Sequence, residues 1–224
     1  MTTNMQLPKV NYLILSKDRK DTHRAIVHAL YQDYPNHLKT CYVVHQTPQD
    51  ALINCDIYMK VHQIHVEGIE GHNWWMKKLL AYCNVVRDTD TITLMFDEDD
   101  IYHPGYTQDV VTRIRNFDGM WNYKMLFCDK SGIHYDNWSS AISTMALHTP
   151  IMMKAVVDVV QAHPALTAYK GKAPLDSVFR LHLDSNFKMG IHEGDKAYIF
   201  SLASNTSNIN ATMRKLSIDY IEGE

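Results

Sequence analysis

The chain has 224 residues, 46% of them apolar and 21% charged, which supports a sizeable core in one large domain and excludes a disordered chain. Lysine and arginine number 22 against 25 acids, so a strongly basic coat that binds nucleic acid regardless of sequence is excluded, while a local basic groove is not. Nine glycines and seven prolines are too few for a collagen-like or linker-rich chain.

Strand and helix signals alternate from the start. The β-rich run VNYLIL at 10–15 predicts a strand that ends in the polar cluster Ser16-Lys17-Asp18-Arg19. Its few apolar residues make neither a signal segment nor a membrane span, and no other stretch reaches the necessary length. Residues 22–31 carry a helical stripe of Ala25, Ile26, Ala29 and Leu30, stopped by Asp33-Tyr34-Pro35-Asn36, since Pro35 disfavours helix at Tyr34. TCYVV at 40–44 reads as a second strand, 48–54 as a short helix, and 60–65 as a weaker strand. His62 and His65 there, three apart, should face opposite sides as structural residues.

A loop through Gly68 and Gly71 leads to a helix over 74–86, where Trp75, Leu79, Tyr82, Cys83 and Val86 fall near one face. TITLMF at 91–96 is the strongest strand, its continuous apolar run suited to burial on both faces. A helix over 106–116, strands over 124–129 and 132–135, and helices over 150–163 and 175–183 follow. The alternation predicts a mostly parallel sheet with helices on both faces. Cys41, Cys55, Cys83 and Cys128 form no CxxC and no zinc-ribbon spacing, which reads as reduced, mostly buried thiols. The expectation is a cytoplasmic protein without a membrane anchor of its own.

The residues that carry chemistry follow the strongest strand: Asp97-Glu98-Asp99-Asp100. Four successive acids repel one another and raise their own pKa values unless a cation neutralises them. Ligands of open α/β sheets sit beyond the carboxyl ends of the strands. Asp97 and Asp99, two apart, point the same way from an extended segment, and together suit Mg²⁺ or Mn²⁺ bridging to phosphate oxygens. The competing reading is a solvated acidic turn capping the helix at Tyr106.

The run Phe96-Asp97-Glu98-Asp99-Asp100-Ile101-Tyr102-His103-Pro104 resembles the DxD region of GT-A fold glycosyltransferases, specifically the inverting family-2-like group. Leu13-Ile14-Leu15-Ser16-Lys17-Asp18-Arg19 is similar to that family's opening strand and Arg-containing turn. Gln32-Asp33-Tyr34-Pro35 is similar to its Q-x-Y-P helix stop, and Asn205-Thr206-Ser207 to its late N-T-S segment. The ordered set spans residues 10–207. The resemblance implies a GT-A (Rossmann-like) fold with a mixed, mostly parallel sheet, as a single catalytic domain over 1–224. Its nucleotide-binding half would cover about 8–115, its acceptor-side half about 116–210 and a C-terminal tail about 211–224.

It further implies transfer of a sugar from a nucleotide-diphosphate donor, foremost a UDP-sugar, to an acceptor hydroxyl with inversion and a Mn²⁺ or Mg²⁺ cofactor. Asp97 would serve donor and metal, and Asp99 would be the main metal ligand with Asp100 nearby. Asp176, in Pro174-Leu175-Asp176-Ser177, would be the base that takes the acceptor proton; a plain helix-start acid is its other reading. Lys77 would face the diphosphate, and Arg19 would lie near the nucleotide. His192, or Asn205, would stand where relatives place a late metal-ligating His. Where many relatives have an Asp after the second strand, this chain has His45-Gln46. Trp74 and Trp75 read as core or loop anchors, and the segment from Trp138 to Met145 as part of the acceptor floor. The acceptor would be a glycan, or a hydroxylated base in viral DNA with Arg113, Arg115, Lys124 and Lys130 forming a groove. The rival readings are a nucleotidyltransferase and an inactive nucleotide- or glycan-binding module. No Walker A, GxGxxG or GxSxG motif occurs, which disfavours P-loop, dinucleotide and serine-hydrolase chemistry.

Overall fold

The computed structural model describes residues 6–16, 22–46, 58–67, 74–98, 100–122, 125–129, 132–136, 145–162, 175–192 and 199–201. The strands are β1 (Lys9–Leu15), β2 (Lys39–His45), β3 (Lys60–His65), β4 (Thr91–Met95), β5 (Asp100–Tyr102), β6 (Gly119–Asn122), β7 (Met125–Asp129), β8 (Gly132–Asp136), β9 (Met145–His148), β10 (Met189–His192) and β11 (Ile199–Ser201). The helices are α1 (Thr22–Leu30), α2 (Trp74–Val85), α3 (Tyr106–Arg113), α4 (Thr149–Ala162) and α5 (Leu175–Asn186). The seven-stranded sheet has the order β10-β6-β9-β4-β1-β2-β3, and β5-β11-β7-β8 form a second, four-stranded sheet. In the larger sheet only β9 runs against the rest.

Alternation along the strands sorts side chains to two cores. Val10, Tyr12, Ile14, Ile92, Leu94 and Phe96 face α1 and α3. Leu13, Leu15, Met95, Met145 and Leu147 face α2, α4 and α5. Helices therefore cover both faces, as expected, and every residue of β4 is buried. His62 stacks on Tyr42 at 4.9 Å, while His65 meets His45 on the other side at 5.5 Å. Cys41 and Cys83 are free, buried thiols, and burial pushes Cys83 up to about 12. Among the described residues no helix is long and apolar enough to cross a membrane.

The differences from the sequence reading are instructive. α1 ends at Leu30, one residue short of the expected 31, and the Lys39 ammonium bonds its terminal carbonyl, Leu30 O, at 2.6 Å and Gln32 O just beyond it at 3.2 Å. α3 tightens into a 3-10 turn over Ile114–Asn116 rather than continuing as one helix. α5 runs on to Asn186, with Asp184 held by Trp121 Nε1 at 2.8 Å. The expected helix over 48–54 lies outside the described residues.

Strands β6, β9 and β10 went unforeseen. Each has four residues, too few to show a period, and their burial depends on partners distant in sequence. Gly119 permits the closest of these pairings. A Cβ there would fall 2.9 Å from the Ala146 carbonyl oxygen and collide with the Leu147 side chain. Gly119→Ala is expected to cost about 1–3 kcal/mol through overpacking. The check is the urea midpoint; an unchanged midpoint would disprove the tight β6–β9 contact.

A second expectation concerns acid. Burial, aided by the Arg24 charge, pushes His28 on α1 down from 6.5 to about 4. The fold thus favours the neutral ring, and the unfolded chain binds the proton more readily. Stability is complete above pH 6.5 and falls as pH drops toward about 4. His28→Gln should flatten this decline in thermal midpoints taken across that range; an identical slope would count against it.

Candidate active site

The site is built where β4 leaves the core. Phe96 N–H still bonds to Leu13 O at 2.9 Å, and then the chain turns and crosses into β5 of the second sheet. β5 pairs antiparallel with β11, Asp100 opposite Ser201. The turn is seated on aromatic rings. Tyr102 stacks on Phe96 with centroids 3.7 Å apart and planes 11° from parallel. Its hydroxyl oxygen accepts the Asp97 N–H at 2.7 Å. Burial first, then the Asp100 and Asp97 charges, raise the Tyr102 pKa far above its ordinary value, so this hydroxyl stays protonated.

Asp97 is half-buried, and its Oδ1 accepts the Glu98 N–H at 3.0 Å. Glu98 and Asp100 are buried, at 0% and 3% exposure. The run is therefore not a solvated turn, since two of its carboxyl groups point inward. Nor does it cap α3. Gly105 precedes that helix with no side-chain cap, and Gln32 supplies the acceptor instead. Gln32 Oε1 takes the Thr107 N–H at 3.0 Å and hydroxyl at 2.9 Å, while Gln32 Nε2 donates to His103 O at 3.0 Å. The glutamine of the Q-x-Y-P stop thus clamps the segment that follows the acids.

α2 brings basic charge to the same end of the sheet. Lys77 is half-buried, whereas Lys78 is buried at 1% exposure with Nζ donating to the Ser16 carbonyl, just past β1. Sequence reasoning passed over Lys78, although its spacing from Trp75, Leu79 and Tyr82 sets it on the buried face. Trp75 is a core anchor, packing edge-on against Phe179 of α5 at 5.3 Å. That contact joins the start of α2 to α5, whose second residue is Asp176. The side chain of Asp176, the side chain of Trp74, and residues Arg19, Asp99, Asn205 and 137–144 lie outside what is described.

The structure thus gathers Asp97, Lys78, the start of α1 and the start of α5 at the carboxyl ends of the parallel strands. His192 ends β10, at the same carboxyl pole of the larger sheet. β9 and β6 stand between β4 and β10, which at roughly 4.8 Å per strand sets the two about 14 Å apart. His192 Nε2 lies 2.9 Å from Asp109 Oδ2, and its ring meets Tyr106 edge-on at 6.0 Å. Burial first lowers its pKa, against the pull of Asp109, so the neutral ring donates through Nε2–H to Asp109. The observed partner of His192 is this carboxylate on α3. Among the described residues no three His, Cys, Asp or Glu side chains gather as a metal-binding group.

Arg113 is paired with Asp109 at 3.1 Å. Arg115 lines a cavity of about 490 Å³ with Thr91, Ile92 and Pro150, at the amino ends of β4 and α4. Arg115 therefore sits at the pole away from the acid turn, and Lys124 and Lys130 lie outside the described residues.

A mostly parallel α/β sheet with carboxylates at the carboxyl end of its central strand is an architecture of the GT-A (Rossmann-like) type. No protein-family model and no curated protein sequence matches the chain. Solved structures do. S. aureus TarS 1–349 in complex with UDP-GlcNAc matches with a TM-score of 0.60 at 14% identity, over 92% of this chain and 60% of that one. The same TarS 1–349 in complex with UDP gives 0.56 at 15% identity, over 86% and 60%. S. aureus TarS gives 0.53 at 13% identity, over 96% and 43%. The chain thus spans 60% of the length of TarS 1–349, and at these identities the likeness establishes a shared fold.

Proposed function

We propose that this chain is an inverting, metal-dependent glycosyltransferase that moves a sugar from a UDP-sugar to an acceptor hydroxyl. The observation that carries the reading is the Asp97 carboxylate, oriented by the Glu98 N–H at the end of β4, on a fold shared with a UDP-GlcNAc complex. The donor set suits a hard divalent cation, since Asp97 offers carboxylate oxygen at the crevice and Asp99 is two residues on. Asp97 and Asp99 would hold Mn²⁺ or Mg²⁺, with His192, whose Nε2 is engaged by Asp109 and whose Nδ1 has no hydrogen-bond partner among the described residues, as the late ligand. When bound, such an ion supplies positive charge against the diphosphate leaving group.

The chain's own residues do the rest. Arg19, Lys77 and the positive end of α1 border the diphosphate and oppose its charge. Asp176 accepts the proton of the acceptor hydroxyl as its oxygen forms the new bond to the sugar's anomeric carbon. The bond from that carbon to the diphosphate oxygen breaks on the opposite face, which inverts the centre. A glycan hydroxyl is the favoured acceptor. Of the arginines invoked for a DNA groove, Arg115 lies at the far pole and Arg113 is already paired with Asp109.

The test is a panel of nucleotide sugars with Mn²⁺ or Mg²⁺, offered glycan and hydroxymethylated-DNA acceptors and read by mass spectrometry. Free UDP with a glycosylated glycan supports the reading. Pyrophosphate would instead mark nucleotidyl transfer, and calorimetric UDP binding without turnover would mark a binding module.

A further inference from the structure

We infer that Glu98, the acid between Asp97 and Asp99, is a positioning residue that locks the start of α1 to the acid turn; this rests on the function proposed above. Its side chain is fully buried. Glu98 Oε2 accepts the Thr22 hydroxyl proton at 2.8 Å. With that proton committed, the 2.8 Å contact between Ser16 Oγ and Thr22 Oγ1 has Ser16 as donor. A directed relay therefore runs from Ser16 through Thr22 to Glu98, joining the end of β1, the first residue of α1 and the end of β4. Lys78 ties α2 into the same knot through the Ser16 carbonyl, and Ser16 N–H reaches Val44 O of β2 at 3.0 Å.

Glu98 also works through its main chain, since its N–H holds Asp97 Oδ1 at 3.0 Å. One residue thus orients the crevice carboxylate with its peptide and anchors β1 and α1 with its side chain. A buried carboxylate is costly without hydrogen bonds, and the relay supplies one that supports this inward placement. Removing the side chain frees the peptide that aims Asp97. Glutamine keeps both the length and an acceptor oxygen, and so preserves the arrangement.

The experiment measures UDP release against UDP-sugar concentration for the wild type, Glu98→Ala and Glu98→Gln. Amide hydrogen exchange over residues 22–27 is measured in parallel. Glu98→Ala is expected to raise the donor KM about tenfold or more with kcat within about threefold, while Glu98→Gln stays within about threefold of wild type in both. A merely structural loss would lower the active fraction, cutting apparent kcat at unchanged donor KM. Exchange in the first turn of α1 should quicken in Glu98→Ala and not in Glu98→Gln. An unchanged donor KM in Glu98→Ala overturns the inference. So does a Glu98→Gln variant as impaired as Glu98→Ala, because the charge itself would then act in the site. If Glu98→Ala does not fold, Ser16→Ala breaks the relay one bond further out. It is expected to raise the donor KM about threefold, and no rise overturns the inference. If the wild type releases UDP from no donor, the functional reading fails. The exchange data then judge the relay alone, and equal rates in all three proteins overturn it.

Discussion

Asp97→Asn is expected to leave the fold in place and to lower metal-dependent release of UDP by about 10²–10³-fold. The variant separates two roles of one side chain. The amide oxygen of asparagine still accepts the Glu98 N–H, now 3.0 Å from Asp97 Oδ1, so the turn keeps its internal bond. The seat of stacked Phe96 and Tyr102 is untouched, as is the bond from the residue-97 N–H to the Tyr102 hydroxyl. What disappears is the negative charge and the basicity a hard divalent cation requires. A thermal midpoint near that of the wild type, together with lost Mn²⁺-dependent UDP binding by calorimetry, is the expected pair of results. Retained activity would remove Asp97 from the proposed cation site. Activity lost only in proportion to lost folded protein would make Asp97 a structural turn residue.

How much of this was legible beforehand depended on whether a residue's fate is decided by near or distant neighbours. The end of β4 was visible because a continuous apolar run cannot extend into four acids, and a doubly covered strand reads as central. Which acid turns inward was not visible. Glu98 is buried because Thr22, 76 positions earlier, offers it a hydroxyl at 2.8 Å. Lys78 lay within reach of the helical spacing from Trp75, but a lysine on a buried face runs against ordinary expectation, which favoured Lys77. The carboxylate that orients His192, Asp109, is 83 positions away in sequence and could not be read from local pattern. The short strands β6, β9 and β10 were missed for the same reason. Their pairing joins segments distant in sequence and includes a close approach at Gly119, which no local period reveals.

The same distinction governs Asp176, the second residue of α5. At a helix start an acid is stabilised by the unpaired N–H groups whether or not it has a catalytic role, by about 0.3–1 kcal/mol. Asp176→Asn resolves the two roles, since asparagine also tolerates a helix start but cannot take up the acceptor proton. The expected result is a kcat for glycosyl transfer lower by about 10²–10⁴-fold, with UDP and Mn²⁺ binding within a few-fold of wild type. The acid limb of the kcat–pH profile should also disappear, because that limb reports the base in the bound complex. The placement of α5 makes the outcome specific. α5 packs on α2 through the Trp75–Phe179 contact at 5.3 Å, and it leads into the parallel strand β10, so it begins at the carboxyl pole of the sheet. A base there would have to stand opposite the leaving diphosphate, which is what displacement with inversion requires. If Asp176→Asn instead loses UDP binding in step with kcat, the residue serves the donor and the base must be sought elsewhere around the crevice. If kcat, binding and pH profile all survive, Asp176 is a helix-start acid and nothing more.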